Sequence, residues 1–487
     1  MGHPAWAMRA TLIPASLLLM SGNSDSAVLS AAGSSESAGK TARRRTPRSS
    51  HAAWDPPAKR PDAVKTLKRQ DETRVADLVP IRHGRMLASA FTFYRGAAAI
   101  MAADLAATPD SGLWVQLCGD AHLSNFGVFA APDRRLIFDI NDFDETHPGP
   151  FEWDVKRLVA SFAIAGRNLG FKESKRRKVV AETASEYRRE IRRLASMRTL
   201  EVWYARLEGD AMAQYISQVS SKRAKRHHKI RAKAELKNSM RALGKLTRRN
   251  KGELRIISDP PLIVPIEEFF GTNWETVDER LRQVLTTYLG TLDRDIRHVV
   301  ESYRFVHAAH KVVGVGSVGT RAWILLLLGP DPEDPLFLQV KEAQRSVLEP
   351  FTGSSGFKHQ GRRVVEGQRL MQAASDIFLG WMSAEGPDGK VREYYVRQLW
   401  DGKGAAEVET MTPRILALYG RFCAGALARA HARSGDRIAI ASYLGKGEVF
   451  DRAMCDFAEA YADQNDHDYR AFADAVNEGK LEAEDVI

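Results

Sequence analysis

The sequence predicts an α+β protein built in two lobes, and three observations carry that expectation. Helix-period apolar stretches fill residues 85–106, 151–256 and the tail from Thr412 onward. Strand-like runs gather in two places, residues 113–140 and 311–399, each bounded by Gly, Pro and Asp turn signals. The loops richest in chemistry lie in the first of these, and a glycine-rich turn lies in the second. The 487 residues allow roughly two to four domains at about 150 residues each. With 44% hydrophobic and 27% charged residues the chain is no disulfide-stapled miniature. No apolar run reaches the roughly 18 residues that a membrane span needs, so the body of the chain holds no integral membrane segment. Lys and Arg outnumber acids 71 to 61, a formal +10. That balance suggests an anionic partner: nucleotide, nucleic acid, phosphorylated substrate or acidic lipid. Cys118, Cys423 and Cys455 are scattered and lack CxxC spacing, which reads as three buried thiols.

Residues 1–78 are expected to be disordered. Ser, Ala, Arg and Pro dominate, as in SSESAGKTARRRTPRSSHAAWDPPAKRP, with too little apolar content to offset the entropy of ordering. Within them, Arg9 followed by ATLIPASLLLM and small residues has the form of a secretory signal, interrupted by Pro14. The expected location is cytoplasmic, with export as the alternative if that stretch acts as a signal.

Residues 79–300 read as a helical catalytic lobe. A helix-like stretch (85–106) leads to the apolar strand LWVQLC, then to GDAHLSNFGVFAAPDRRLIFDINDFDE: loop, strand, turn, strand and acidic loop. In Gly119-Asp120-Ala121-His122-Leu123-Ser124-Asn125, an Asp stands five residues before an Asn, the spacing of a phosphotransferase catalytic loop. There the Asp orients or deprotonates the attacking hydroxyl, and the Asn holds a magnesium ion bridging ATP phosphates. Asp142-Phe143-Asp144 follows two short strands later, where such a site needs a second carboxylate. Magnesium takes few protein ligands plus phosphate oxygens, so one Asn and one Asp suffice. After Pro148-Gly149-Pro150 an amphipathic helix carries Asp154, spaced to brace the catalytic loop from below. Residues 172–256 are helical and strongly basic, as in KESKRRK, SKRAKRHHKIRAK and LTRRNK. Solvated faces are the plainer reading there, and a nucleic-acid surface is possible but not favoured.

Residues 301–405 read as a β-rich lobe that covers the nucleotide. Gly314-Val315-Gly316-Ser317-Val318-Gly319 fits GxGxxG. A dinucleotide fold needs a helix next, yet TRAWILLLL is a strand, and a Walker loop needs a lysine that is missing. The remaining meaning is a hairpin over phosphates, with a plain tight hairpin as the bland reading. Lys341 in LFLQVKEA stands where the companion lysine is expected, and the next helix offers Glu366 to pair with it. Surface acids are the plainer reading of Glu366, Asp144 and Glu145, and a structural loop histidine that of His122. Residues 406–487 complete the chain as helices packed on the catalytic lobe.

The run GDAHLSN…IFDINDFDE…GPFEWDVKRL resembles the catalytic core of the aminoglycoside phosphotransferase and choline kinase group, with its H-G-D-x-H-x-x-N loop. Segments FTFYRGAAAIMAADLA, GDAHLSNFG, NDFDET, GVGSVGTR, LQVKEA, VVEGQRLMQAASDIFLGW and LARAHARSGD together resemble the uncharacterised bacterial domain of unknown function family 2252. The first resemblance implies that Asp120 is the catalytic Asp, with Asn125 and Asp142 as metal ligands. Asp139 is the rival of Asp142. The histidine before Gly-Asp is Cys118 here, and His122 resembles the small-molecule kinases. In ordinary members the glycine loop, lysine and glutamate precede the catalytic Asp, whereas here they follow it. A protein kinase-like two-lobed fold, circularly permuted and with helical insertions, is therefore expected.

The expected function is ATP- and magnesium-dependent phosphoryl transfer to a small-molecule acceptor. Transfer of AMP would use much the same residues. Alternatives are a metal-dependent hydrolase built from Asp120, His122, Asp139, Asp142 and His147, and a degenerate core that binds nucleic acid or a partner through its basic helices.

Overall fold

The structure, a computed structural model, describes residues 24–209, 212, 239–250, 253–271, 274–312, 314, 316, 318–331, 333–386, 388–399, 404 and 406–484. The signal-like stretch before residue 24, the basic cluster at 221–233 and Ser317 lie outside the described residues. The chain is mixed α+β, with helices gathered around one large core and strands in several sheets. Among the described residues no helix is long and apolar enough to cross a membrane.

Over residues 24–78 the structure corrects the expectation of disorder; residues 1–23 lie outside the described residues. Residues Ser24–Arg45 form helix α1, and Ala63–Asp71 form α2. The basic triplet Arg43–Arg45 is no tail. Arg43 donates from Nε to the Tyr443 carbonyl (2.7 Å) and from Nη2 to that of Ser442, while Arg45 reaches the Ser111 carbonyl (2.6 Å). Arg60 bridges Asp104 and Asp468 (2.7 and 2.6 Å). Composition counts apolar residues, and this segment is held instead by guanidinium groups on waiting carbonyls and carboxylates. At Gly39 a Cβ would stand 2.2 Å from the Ala439 carbonyl oxygen, so only glycine allows so close a crossing.

Helices α3 (Val79–Leu87), α4 (Ala90–Gly96) and α5 (Ala98–Ala106) follow. Ser89 starts α4 through a reciprocal cap with Thr92. Strand β1 (Trp114–Leu117) leads into the Gly119–Asn125 loop, and β2 (Phe126–Ala130) pairs antiparallel with β3 (Leu136–Ile140), Phe126 opposite Ile140. Strand β4 (His147–Pro150) returns beside β1, and its prolines launch α6 (Phe151–Asn168), almost wholly buried. On α7 (Glu173–Ala195) the basic residues are paired with acids: Arg189 with Glu186 and Arg193 with Glu190 on the same helix, both at 2.7 Å. Arg176 meets Glu459 at 2.8 Å.

A short strand β5 (Leu207–Glu208) extends β3, and β6 (Thr247–Asn250) and β7 (Glu253–Ile256) make a hairpin. Strand β8 (Ile263–Pro265), β9 (Arg304–Lys311), β10 (Ala322–Leu328), β11 (Pro335–Glu342), β12 (Gly380–Glu385) and β13 (Val391–Gln398) form one antiparallel sheet. Its order is β12-β13-β11-β10-β9-β8, so the sheet reaches back before residue 301. The unbroken apolar run of β10 is explained by burial on both faces. Leu325 and Leu327 pack in one cluster, and Ile324, Leu326 and Leu328 in another. Helix α8 (Gln360–Met371) connects β11 to β12. Helices α9 (Pro413–Ser434), α10 (Arg437–Leu444) and α11 (Val449–Asn477) then return to the helical core, α9 against α7 and α11 against α6. All three cysteines are free and buried, as expected.

Candidate functional site

The catalytic-type loop is fixed from beneath by α6. Asp154 accepts from the backbone N–H groups of Cys118 (2.8 Å) and Gly119 (3.1 Å), the bracing its spacing predicts. His431 of α9 stands 3.3 Å from the same carboxylate, and its other ring nitrogen meets the Tyr187 hydroxyl at 2.8 Å. A chain of polar contacts thus runs from α7 through α9 and α6 into the loop. Gly119 has φ +84°, and a Cβ there would lie 2.2 Å from the Glu145 carbonyl oxygen, so the turn requires glycine.

One helical turn past Asp154, Arg157 reaches the top of the loop. It donates to Asp120 Oδ1 from Nε (2.9 Å) and lies 2.8 Å from it through Nη2. Its guanidinium sits 3.8 Å from the centre of the Tyr94 ring. Burial pushes the Asp120 carboxyl above its ordinary value, against the pull of Arg157 and Arg95. Asn125 donates from Nδ2 to the Asp120 carbonyl (2.8 Å), which leaves its side-chain oxygen uncommitted. His122 is buried, with Nε2 3.6 Å from Asp120 Oδ2 and no partner for Nδ1. Burial, Arg95 and Arg157 drive its pKa well down, so it stands neutral.

The acidic loop and the lysine strand meet here. Lys341 Nζ lies 2.6 Å from Asp144 Oδ2 and 3.9 Å from Asp142 Oδ2. Tyr395, opposite Lys341 on β13, donates to Asp144 Oδ1 at 2.6 Å. Burial alone would neutralise these groups, but the mutual charges prevail and hold Lys341 above its usual range and Asp144 below its own. Asp142 is raised by burial and by the neighbouring Asp144 charge. One of its oxygens accepts the Asp144 N–H at 3.2 Å. Glu145 accepts from Val347 N–H (2.7 Å), so neither Asp144 nor Glu145 is a solvated surface acid.

Between these parts lies a cleft of about 320 Å³. Asp120, His122, Asn125 and Asp142 line it, and Gly314 and Gly316 of the loop between β9 and β10 reach it from the other side. Gly319 turns away, with φ +87° and its carbonyl accepting from Val75 N–H at 2.8 Å. The sequence-predicted residues are therefore gathered from three separate stretches of chain.

Besides Gly319, two of them are not. Asp139 is fully buried behind the site: its carboxylate meets Arg429 at 2.7 Å and accepts the Ala373 N–H at 2.9 Å. Glu366 is paired with Arg362 at 3.5 Å on a half-exposed face, and Lys341 finds Asp144 in its stead. Helix α8 does serve the site, through Arg363 one turn earlier. Its guanidinium donates to the carbonyls of Thr146 (2.5 Å), Asp144 (2.9 Å) and Gln344 (2.8 Å), tying the acidic loop to the end of β11. His147, buried on β4, is engaged with Thr352 Oγ1 at 2.9 Å. Among the described residues no three His, Cys, Asp or Glu side chains converge as a metal-holding group.

Sequence reasoning missed Arg157, Tyr395 and Arg363. Arg157 was findable, since it follows Asp154 at i+3 on one helix face. Tyr395 and Arg363 have no local signal.

A model of the bacterial family described as "Uncharacterized protein conserved in bacteria (DUF2252)" matches residues 74–475. No curated protein and no solved structure matches the chain.

Proposed function

The chain belongs to that family, whose description states no activity, and from its own cleft we propose that it is a kinase-like, ATP- and magnesium-dependent phosphotransferase acting on a small hydroxyl compound. The observation that carries this reading is the meeting of Lys341 with Asp142 and Asp144, two carboxylates that line the same cleft as Asp120 and Asn125. A charged lysine, two carboxylates and an amide oxygen brought from distant strands suit a polyphosphate and its metal better than they suit a scaffold.

Magnesium fits the donors available: the uncommitted Asn125 oxygen and the Asp142 carboxylate, both hard oxygen ligands on one wall. Bound there, it would supply neutralising charge to the phosphate oxygens. Asp120, fixed by Arg157, orients the acceptor hydroxyl and takes its proton. The hydroxyl oxygen forms the new bond to the γ-phosphorus, the bond to the bridging oxygen breaks, and ADP leaves with that electron pair. Lys341 serves the α- and β-phosphates, with Asp144 setting the ammonium in the role expected of Glu366. The glycine loop lies over the phosphates.

A rearranged chain order is supported by α9, which ends beside the strand that enters the Gly119 loop. Its last residue, Ser434, accepts the Gln116 N–H of β1 at 3.2 Å. The hydrolase reading loses support because Asp139 is occupied elsewhere and His147 does not line the cleft.

Thermal unfolding with magnesium and ATP tests the proposal. A ligand at 100 times its Kd stabilises by about 2.7 kcal/mol. The wild type should shift upward with ATP only when magnesium is present, and Lys341→Ala and Asp142→Asn should abolish the shift. A wild type unmoved by millimolar ATP would overturn the reading.

A further inference from the structure

The cleft has a wall that the nucleotide reading does not use. The N-terminal segment brings Arg69 and Arg74 from α2 and its end, and Arg95 from α4, while Arg345 faces them from beyond β11. Apart from Asp142, the acids of the same cleft already have cations or donors of their own. Asp120 is held by Arg157, Asp144 by Lys341, Glu145 by the Val347 N–H, and Glu342 by Arg321 at 3.2 Å. The arginines are therefore surplus positive charge. Among the described residues Arg69, Arg95 and Arg345 form no ion pair.

Arg95 is the sharpest of them. Its Nε is buried without a hydrogen-bond partner, which is costly unless the guanidinium serves something that enters the cleft. Its backbone carbonyl packs against Gly316, where a Cβ would lie 3.3 Å away, so the side chain is anchored beside the glycine loop. Arg74 is spent differently, donating to the Val318 carbonyl and packing on Gly319. It fixes the wall on which Arg95 stands.

We propose that the acceptor is an anionic hydroxyl compound, bearing phosphate or carboxylate, whose charged group is received by Arg95 with help from Arg69 and Arg345 while its hydroxyl meets Asp120. This rests on the phosphotransferase reading for the role of Asp120. An arginine fork matches phosphate or carboxylate oxygens in geometry and charge. Lys341, the cation assigned to the nucleotide, is already paired with Asp144, so the arginines of the lining are left for a second anion.

The test is calorimetric titration of the full chain with inorganic phosphate, and separately with acetate, in magnesium and a saturating non-hydrolysable β,γ-imido analogue of ATP. Wild type should bind at least one probe. Arg95→Gln should weaken that binding about tenfold or more, the loss of one charged hydrogen-bonding group. Arg345→Gln, on an exposed side chain, should weaken it less, and keeps the test open if Arg95→Gln fails to fold. Both variants should leave the affinity for the analogue within about twofold. Absence of binding of either probe to wild type, or an unchanged affinity in both variants, overturns the proposal. A parallel loss of analogue affinity also overturns it, by giving the arginines to the nucleotide. If the analogue does not bind wild type while phosphate binding still depends on Arg95, the phosphotransferase reading falls and the anion site stands.

Discussion

Asp139 and Asp142 stand three residues apart where β3 runs out into the acidic loop, yet they belong to different parts of the molecule. Both oxygens of Asp139 are consumed behind the strand, by Arg429 and by the N–H groups of Ile140 and Ala373. Asp142 lines the cleft, where among the described residues it meets a backbone N–H and, at longer range, the Lys341 ammonium and the Arg397 charge. A carboxylate with every lone pair answered is scaffold. One left partly unanswered beside Asn125 is available for a ligand. The same division separates Asp154, which holds the loop from beneath, from Asp120, which crowns it.

The largest way to break that division is at Asp120. Asp120→Asn should lower kcat by about 10²–10⁴-fold, the usual worth of a positioned proton acceptor. Nucleotide-dependent thermal stabilisation should persist, since the role proposed for Asp120 is toward the acceptor. Steady-state ADP release, read beside the thermal shift, checks both halves. If both vanish together, the cleft is not divided as drawn.

Asp139→Asn should act in the opposite sense. It strands the Arg429 guanidinium in the core, and removing one partner of a buried ion pair costs about 3–5 kcal/mol. The midpoint of urea unfolding should fall accordingly, while the folded fraction retains its magnesium-dependent response to ATP. A variant of normal stability that loses that response would return Asp139 to the metal.

A smaller effect separates Glu145 from its neighbours. Burial pushes its carboxyl up to about 7 from an ordinary 4.5, only partly offset by the Val347 N–H and Arg363. The folded state therefore keeps a proton that the unfolded chain releases. Stability from this group is full below the unfolded value and is lost as pH rises through 4.5 to about 7. The slope is at most about 1.4 kcal/mol per pH unit, less because the side chain is partly exposed to solvent. Unfolding midpoints measured between about pH 5 and 8 should decline, and Glu145→Gln should flatten that decline.

What was legible in the sequence follows the range of each signal. Asp120, Asn125, Asp142 and Asp154 lie in one short stretch with fixed intervals, and all four residues were readable. Lys341 carried a strand pattern around it, and the both-faces burial of β10 was announced by its apolar run. Order in the N-terminal segment was not readable, because it arises from single arginines meeting Asp104 and, about 400 residues away, Asp468 and the carbonyls of α10. Asp139 and Asp142 could be ranked but not separated, since only the position of Arg429 decides between them.

The choice of Glu366 failed for a reason that a final variant isolates. A helix after a lysine strand offers several turns, and spacing alone does not say which one faces the cleft. Glu366 lies on a half-exposed face with Arg362 across one turn, and such exposed pairs contribute roughly 0–1 kcal/mol. Arg363, by contrast, is fully buried and satisfies three backbone carbonyls. Glu366→Gln should therefore change stability by no more than about 0.5 kcal/mol and leave the ATP response unaltered. If that substitution instead abolishes nucleotide binding, Lys341 must exchange Asp144 for Glu366 when ligand enters, and the ion pair described here is the resting state of a switch.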